Sequence, residues 1–318
     1  MTYRGKSVCV VVPAHNEEKL LSRVIETMPE FVDHIVVVDD ASPDRTSAVA
    51  QAYVDVADSR VTLIRHEVNQ GVGGAIVTGY KWARDEKFDI AVVMAGDAQM
   101  DPDDLPALLD PVAEDRVDYS KGNRLFTGDA WREIPRVRYL GNAGLSLLTK
   151  IASGYWHVAD SQTGYTAINL RMLELIDWDT THKRYGCPND YLVRLNVFNA
   201  HVADVPIKPI YNVGEESGIR PFRQVPKLSW LLFRLFIWRL VTKYIIRDFH
   251  PLVFFYAAGF VMGIASFAFL IRLITLWILH GYMPHTTTLL LFISLMMSLQ
   301  FTMFAMWFDM EANKDLRP

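Results

Sequence analysis

At 318 residues, with 51% hydrophobic and 21% charged side chains, the chain is long enough for one sizeable globular domain and a smaller element beside it. A formal net charge of -4 argues against a protein that coats nucleic acid, which needs a basic excess over a whole face. Cys9 and Cys187 have no paired spacing that would mark a disulfide framework or a zinc site, and they fit a reducing compartment.

Met1 leads within a few residues into an apolar β-rich run with no secretory h-region, so the N-terminal domain is expected to stay where it is made. Four such runs, VCVVVPA, HIVVVDD, RVTLIRH and FDIAVVMAG, alternate with the helical patterns EEKLLSRVIETM, DRTSAVAQAYV, VGGAIVTGYKWARD and DPDDLPALLDPV. This βαβ alternation predicts a Rossmann-like α/β domain, a mostly parallel sheet covered by helices on both faces. Ligands of such sheets bind at the carboxyl ends of the strands. Here those ends read Pro13-Ala14-His15-Asn16-Glu17, Asp39-Asp40-Ala41-Ser42, Asn69-Gln70-Gly71 and Gly96-Asp97-Ala98-Gln99. Polar ends on apolar strands predict a nucleotide or sugar site. A dinucleotide-binding dehydrogenase does not fit, because no G-x-G-x-x-G follows the first strand.

Each strand end has a chemical and a local reading. Asp39 and Asp40 can accept hydrogen bonds from a base or ribose, or cap the helix that begins near Pro43. Asn69, Gly71, Gly73 and Gly74 open a helix, where glycines permit close backbone approach and a helix N-terminus favours an anion. Asp97 and Gln99, two residues apart, point to one side of an extended chain and suit a hard cation; Asp101, before Pro102, is the better helix cap. Lys121-Gly122-Asn123-Arg124 ends a further strand. Arg132, Arg136 and Arg138 then precede the apolar stretch GLSLLTKIASGYW, an arrangement suited to a phosphate joined to a lipid. Asp160 either serves a sugar or makes only local loop bonds. His15, His66 and His157 show no metal spacing and read as structural.

The C-terminal third is different. KLSWLLFRLFIWRLVTKYIIRDF interleaves cations with Trp230, Phe233, Ile237, Trp238, Val241 and Ile245, as a helix lying in a membrane interface with its cations toward anionic headgroups would. Leu252 to Ile271 and Leu289 to Phe308 are uncharged runs of 20 residues each, enough to span a hydrocarbon core. Arg234, Arg239, Lys243 and Arg247 precede the first run, and the stretch between the runs has no acidic or basic residue after Arg272 except two histidines. The positive-inside rule then puts the N-terminal domain and the tail DMEANKDLRP in the cytoplasm. The expected map is a domain at 1–220, a juxtamembrane region at 221–249, two transmembrane helices within 250–308 and a tail at 309–318.

PAHNEE, VVDDASPDRT, NQGVGGAIVTGY and MAGDAQMDPDDL, in this order and spacing, resemble the inverting family 2 glycosyltransferases of the A-type fold. The resemblance runs over about residues 6–220 and is strongest to dolichol-phosphate mannosyltransferases and related polyprenyl-phosphate glycosyltransferases, a subgroup with an interface helix and two spans. It implies sugar transfer from a nucleotide-sugar donor to a polyprenyl phosphate at a membrane, with Mg2+ or Mn2+ as cofactor. On this resemblance Asp97 and Gln99 are metal ligands, and Asp97, Arg124 and Asp160 are catalytic. Pro13, Ala14, Glu17, Asp39 and Asp40 form the nucleotide pocket, with Asn69, Gly71, Gly96 and Asp97 beside them. Arg136 or Arg138 clamps the lipid phosphate, and Arg220 is a mobile clamp on the diphosphate. The family's Asp-x-Asp-x-Gln reads Ala95-Gly96-Asp97-Ala98-Gln99 here, without its first carboxylate, and Tyr165 and Thr166 replace the usual Phe and Arg. A polysaccharide synthase of the same fold would bring further spans and Gln-x-x-Arg-Trp, neither of which is visible. A non-catalytic membrane scaffold that binds nucleotide-sugar is the other alternative, and self-association is left open.

Overall fold

The structure, a computed structural model, describes residues 2–125, 136–208, 210 and 221–318, with the backbone alone described at 136–143 and 221–224. Two compact units divide the chain: residues 1–236 with 315–318, and residues 237–314.

The first unit is built on strands β1 (Val8–Ala14), β2 (His34–Asp39), β3 (Val61–Arg65), β4 (Ile90–Val93), β5 (Tyr119–Asn123), β6 (Thr166–Asn169) and β7 (Val202–Pro206). They form one sheet in the order β3-β2-β1-β4-β6-β5-β7. The pairings β1 with β2, β2 with β3, β1 with β4 and β5 with β7 are parallel, whereas β6 runs antiparallel to both neighbours. Every residue of β1 is buried, because helices cover both faces of the sheet. The period of two is visible in where the side chains go: Val10, Val12, Ile35 and Val37 join one core, and Cys9, Val11, Val36 and Val38 join the other.

Helices α1 (Leu21–Glu26), α2 (Thr46–Val54), α3 (Val72–Asp85) and α4 (Leu105–Ala113) follow the first four strands, as the sequence pattern predicts. α3 lies hard against β1 because Gly79 has no side chain: a Cβ there would meet Val11 Cγ1 at 2.1 Å. α5 (Arg136–Ser153), α6 (Leu170–Leu175) and α7 (Cys187–Val197) complete the domain. Leu228, Leu232 and Leu235, one face of α8 (Pro221–Val241), pack with Leu145 and Ala152 of α5 and Val193 of α7. The opposite face leaves Trp230 and Phe233 exposed. Leu316 joins the core that contains Tyr119 and Leu192, so the end of the chain returns to the first unit.

The second unit holds α9 (Leu252–His280) and α10 (His285–Ala312), 29 and 28 residues long, both apolar and long enough to cross a membrane. They pack as a hairpin in which Ser298 Oγ donates to the Gly259 carbonyl at 2.8 Å and Phe255 meets Phe301, Phe304 and Phe308. Small residues at the seam let the backbones approach. Arg239 and Lys243 correct the expectation that the juxtamembrane cations all face lipid headgroups. Both are buried: Arg239 makes a bidentate pair with Asp309, at 3.0 and 2.8 Å, and Lys243 donates to Asn313 at 2.8 Å. Tyr244 OH also donates to Asp309, at 2.6 Å, while Arg234 and Arg247 remain exposed.

Candidate active site

The carboxyl ends of β1, β2 and β4 meet at one edge of the sheet. Pro13 accepts a backbone bond from Gly96 at 3.1 Å, and Ala14 accepts one from Asp40 at 2.9 Å, so the three strand ends are tied together. Asn16, Ala41 and Ala98, one beyond each of these strands, have φ of 62°, 56° and 56°. Left-handed conformations in non-glycine residues cost energy, and three of the eight among the described residues fall in these loops.

Both strand-end aspartates are buried, and both brace loops. Asp39 accepts from Ser42 N at 3.0 Å and from the Ser42 and Ser47 hydroxyls, holding the turn into α2. Asp40 accepts from Gln70 N at 2.8 Å, Gly71 N at 2.7 Å and His66 Nδ1 at 2.7 Å, while His66 Nε2 meets Thr78 Oγ1 at 2.8 Å. Asp40 thus frames the Asn69–Gly71 loop, and His66 is its brace. Gly71, at φ 90°, approaches the backbone of Lys183 and Arg184, and Gly74 N donates to the Lys183 carbonyl at 3.0 Å. A neighbouring loop therefore takes that backbone donor at the start of α3. Asn69 is exposed beside the His15 ring, and a cavity of about 380 Å³ opens among Ala41, Arg65, His66 and Glu67.

At the end of β4 the loop turns sharply, and Asp97 Oδ1 accepts from Gln99 N at 3.1 Å. Asp101, the expected cap, accepts from Asp103 N at 3.0 Å. A Cβ on Gly96 would lie 3.5 Å from Glu17 Cγ, so the β1 loop carries Glu17 against the β4 loop. Burial first, then the charges of Asp97 and Asp44, push the Glu17 carboxyl up to about 7. Among the described residues no three His, Cys, Asp or Glu side chains form a metal cluster.

The remaining elements come in beside β4. β6 starts at the same edge, since Thr166 pairs with Val93 and with Lys121. Tyr165 OH donates to the Asp101 carbonyl at 3.0 Å, tying the segment before β6 to the Asp97 loop. That segment carries Asp160, which grips Arg124: Nε to Oδ2 is 2.7 Å, Nη2 to Oδ1 is 3.1 Å and the Arg124 backbone N to Oδ2 is 3.3 Å. Burial works to raise the Asp160 carboxyl, but Arg124 and Lys121 outweigh it and hold it below the usual range. With both oxygens engaged, Asp160 is suited to aiming Arg124 rather than taking a proton. Arg124 itself is about a third exposed, at 35% of its side chain.

A family model described as glycosyl transferase family 2 matches residues 9–176. The chain belongs to that family. This glycosyltransferase is 32% identical over 218 residues to UDP-N-acetylglucosamine--dolichyl-phosphate N-acetylglucosaminyltransferase of Methanococcus voltae, covering 65% of this chain and 86% of that one. It is 31% identical over 205 residues to undecaprenyl-phosphate mannosyltransferase of Micrococcus luteus, covering 63% and 82%. A crystal structure of glucosyl-3-phosphoglycerate synthase from Mycobacterium tuberculosis, with Mn2+ and UDP, shares the fold at a TM-score of 0.54 and 20% identity, covering 74% of this chain and 80% of that one.

The structure therefore gathers Pro13, Ala14, Glu17, Asp39, Asp40, Asn69, Gly71, Gly96, Asp97 and Gln99 at one edge, with the Arg124–Asp160 pair beside them, Arg124 just past β5 and Asp160 in the segment before β6. Arg220 and the side chains of Arg132, Arg136 and Arg138 lie outside the described residues. His66 and Lys121 are buried polar groups at this edge that carried no signal in the sequence beyond their position near strand ends.

Proposed function

We propose that this glycosyltransferase moves a hexose-type sugar from a GDP- or UDP-linked donor to a polyprenyl phosphate, dolichyl or undecaprenyl, at the cytoplasmic face of a membrane. The observation that carries the reading is the union, in one chain, of a family 2 domain with two helices long and apolar enough to span. A lipid acceptor has to be met at a membrane surface. The relatives support the acceptor class, since those named above are called dolichyl- and undecaprenyl-phosphate transferases.

In this reading the cavity beside Arg65 and Glu67 takes the nucleoside, framed by Asp39 and Asp40, and the diphosphate lies toward Asp97. The oxygen donors at the strand ends suit a hard cation, and one bound at Asp97 would offset the part of the Glu17 shift that the Asp97 and Asp44 charges add to burial. Asp97 and Gln99 would hold Mg2+ or Mn2+, which would supply positive charge to the departing diphosphate. The acceptor oxygen is already anionic near neutral pH, so it forms the new bond to the anomeric carbon as the bond to the diphosphate breaks, and no strong base is needed. Inversion follows from attack opposite the leaving group. Arg124, aimed by Asp160, is placed to offset the repulsion between two phosphate groups, with Arg136 or Arg138 serving the lipid side and Arg220 the diphosphate.

The test is turnover of the full chain with a short polyprenyl phosphate and a panel of GDP-mannose, UDP-glucose and UDP-N-acetylglucosamine. One donor should yield a lipid-linked sugar and a free nucleoside diphosphate. Transfer to a growing glycan in place of the lipid phosphate, or donor binding without transfer, overturns the reading.

A further inference from the structure

Lys121 is a lysine inside a sheet, with its side chain fully buried. In the parallel register of β5 and β7 it stands opposite Asp204, so the two side chains share one face. Its Nζ donates to the Thr163 carbonyl. Asp204 Oδ2 accepts from the Ala159 backbone N at 3.1 Å and from Asn123 Nδ2 at 2.7 Å, while Asp204 Oδ1 has no hydrogen-bond partner among the described residues. Residues 159–163 are thus held at both ends, by Asp204 at Ala159 and by Lys121 at Thr163. Between those anchors lies Asp160, which grips Arg124 through two oxygens.

A buried ammonium is expensive unless opposite charge faces it. The charged and titratable groups facing Lys121 are Asp160 and Arg124 at the site, Asp204 on β7 and Cys187 at the start of α7. An aliphatic residue would pack in a strand without that cost but would leave Thr163 unanchored and Asp204 without the cation that faces it. We propose that Lys121 is a positioning residue for sugar transfer: with Asp204 it clamps the 159–163 segment and so fixes the Asp160 carboxylate that aims Arg124. The proposal rests on the reading of Arg124 as a phosphate-binding group.

Burial lowers the ammonium to about 8, against the pull of Asp160 and Asp204. Below that pH Lys121 is charged, compensates Asp204 and holds the Thr163 carbonyl with a charge-assisted bond; above it the charge is gone, that hold weakens and the Asp160 segment loosens. Activity of the wild-type chain should therefore fall as pH rises through about 8.

The experiment compares wild type, Lys121→Met, Lys121→Arg and Arg124→Ala as full chains in detergent, over pH 6–9.5, with short polyprenyl phosphate and with GDP-mannose and UDP-N-acetylglucosamine in parallel. Lys121→Met should lower kcat by about tenfold or more at pH 7 with donor KM changed less than about twofold, and should lose the step near pH 8. Lys121→Arg, which keeps its charge, should move the fall beyond pH 9. Near-UV circular dichroism reports whether Lys121→Met folds; if it does not, the Lys121→Arg profile decides. Wild-type kinetics in Lys121→Met, or a fall near pH 8 unchanged in Lys121→Arg, overturns the proposal. If Arg124→Ala keeps wild-type kcat, or no variant and no wild type transfers sugar, the reading beneath it fails instead.

Discussion

At the ends of β1 and β4, burial first and then the charges of Asp97 and Asp44 raise the Glu17 carboxyl, and the cost has a measurable sign. A carboxyl raised from 4.5 to about 7 in the folded chain stays protonated there after the unfolded chain has lost its proton. Stability of the metal-free protein therefore falls as pH rises from about 4.5 to about 7, and the deficit persists above that. Solvent screening at this partly buried site leaves on the order of 1–2 kcal/mol of the shift's nominal worth. Thermal unfolding in chelator should show the decline in wild type and a flatter profile in Glu17→Gln. Added Mg2+ or Mn2+ should raise the midpoint more at pH 8 than at pH 5. A flat wild-type profile would show that the folded chain does not raise the Glu17 carboxyl. Asp97→Asn, which deletes the carboxylate proposed to hold the cation, should lower kcat by about a hundredfold.

Among the elements, α8 and its neighbours separate what local pattern reveals from what it hides. The alternating strands and amphipathic helices were legible because their periodicity is local, and the polar strand ends marked the site edge for the same reason. Asp160 and Arg124 were each visible as candidates, but their pairing depends on β6 entering antiparallel between β4 and β5, which no local run announces. Lys121 looks like an ordinary strand lysine until β7 brings Asp204 opposite it. The same holds for Arg239 and Lys243: their spacing suggested headgroup contacts, yet Asp309 and Asn313, far along the chain, take them up. The buried pair gives a direct prediction. Asp309→Ala leaves the Arg239 guanidinium buried without its carboxylate and should destabilise the second unit by about 3–5 kcal/mol. Arg239→Met with Asp309→Leu should recover part of that loss, because it removes the unpaired guanidinium but still leaves the Tyr244 hydroxyl without its carboxylate acceptor. Thermal midpoints of the three proteins in one detergent decide the matter; a wild-type midpoint in Asp309→Ala would show that the pair holds nothing together.

For the whole molecule, connectivity bears on sidedness. The chain leaves the first unit through α8, runs through α9 and α10, and returns Leu316 to the first unit's core. A segment that leaves a folded unit and returns to it would cross a membrane an even number of times, and α9 and α10 are two helices long and apolar enough to do so. Exposed Arg234 and Arg247 stand before the first crossing, and the turn between α9 and α10, residues 281–284, is uncharged. By the positive-inside rule the turn should lie outside and the domain with its tail should lie in the cytoplasm. Cys9 and Cys187 are both buried, so single cysteines introduced elsewhere report without much background. In intact cells a membrane-impermeant maleimide should label Tyr282→Cys, whose native side chain is 56% exposed, and should reach Pro318→Cys only after permeabilisation. Labelling of position 318 in intact cells would reverse the orientation. Protection of position 282 in both intact and permeabilised cells would mean that the hairpin does not cross.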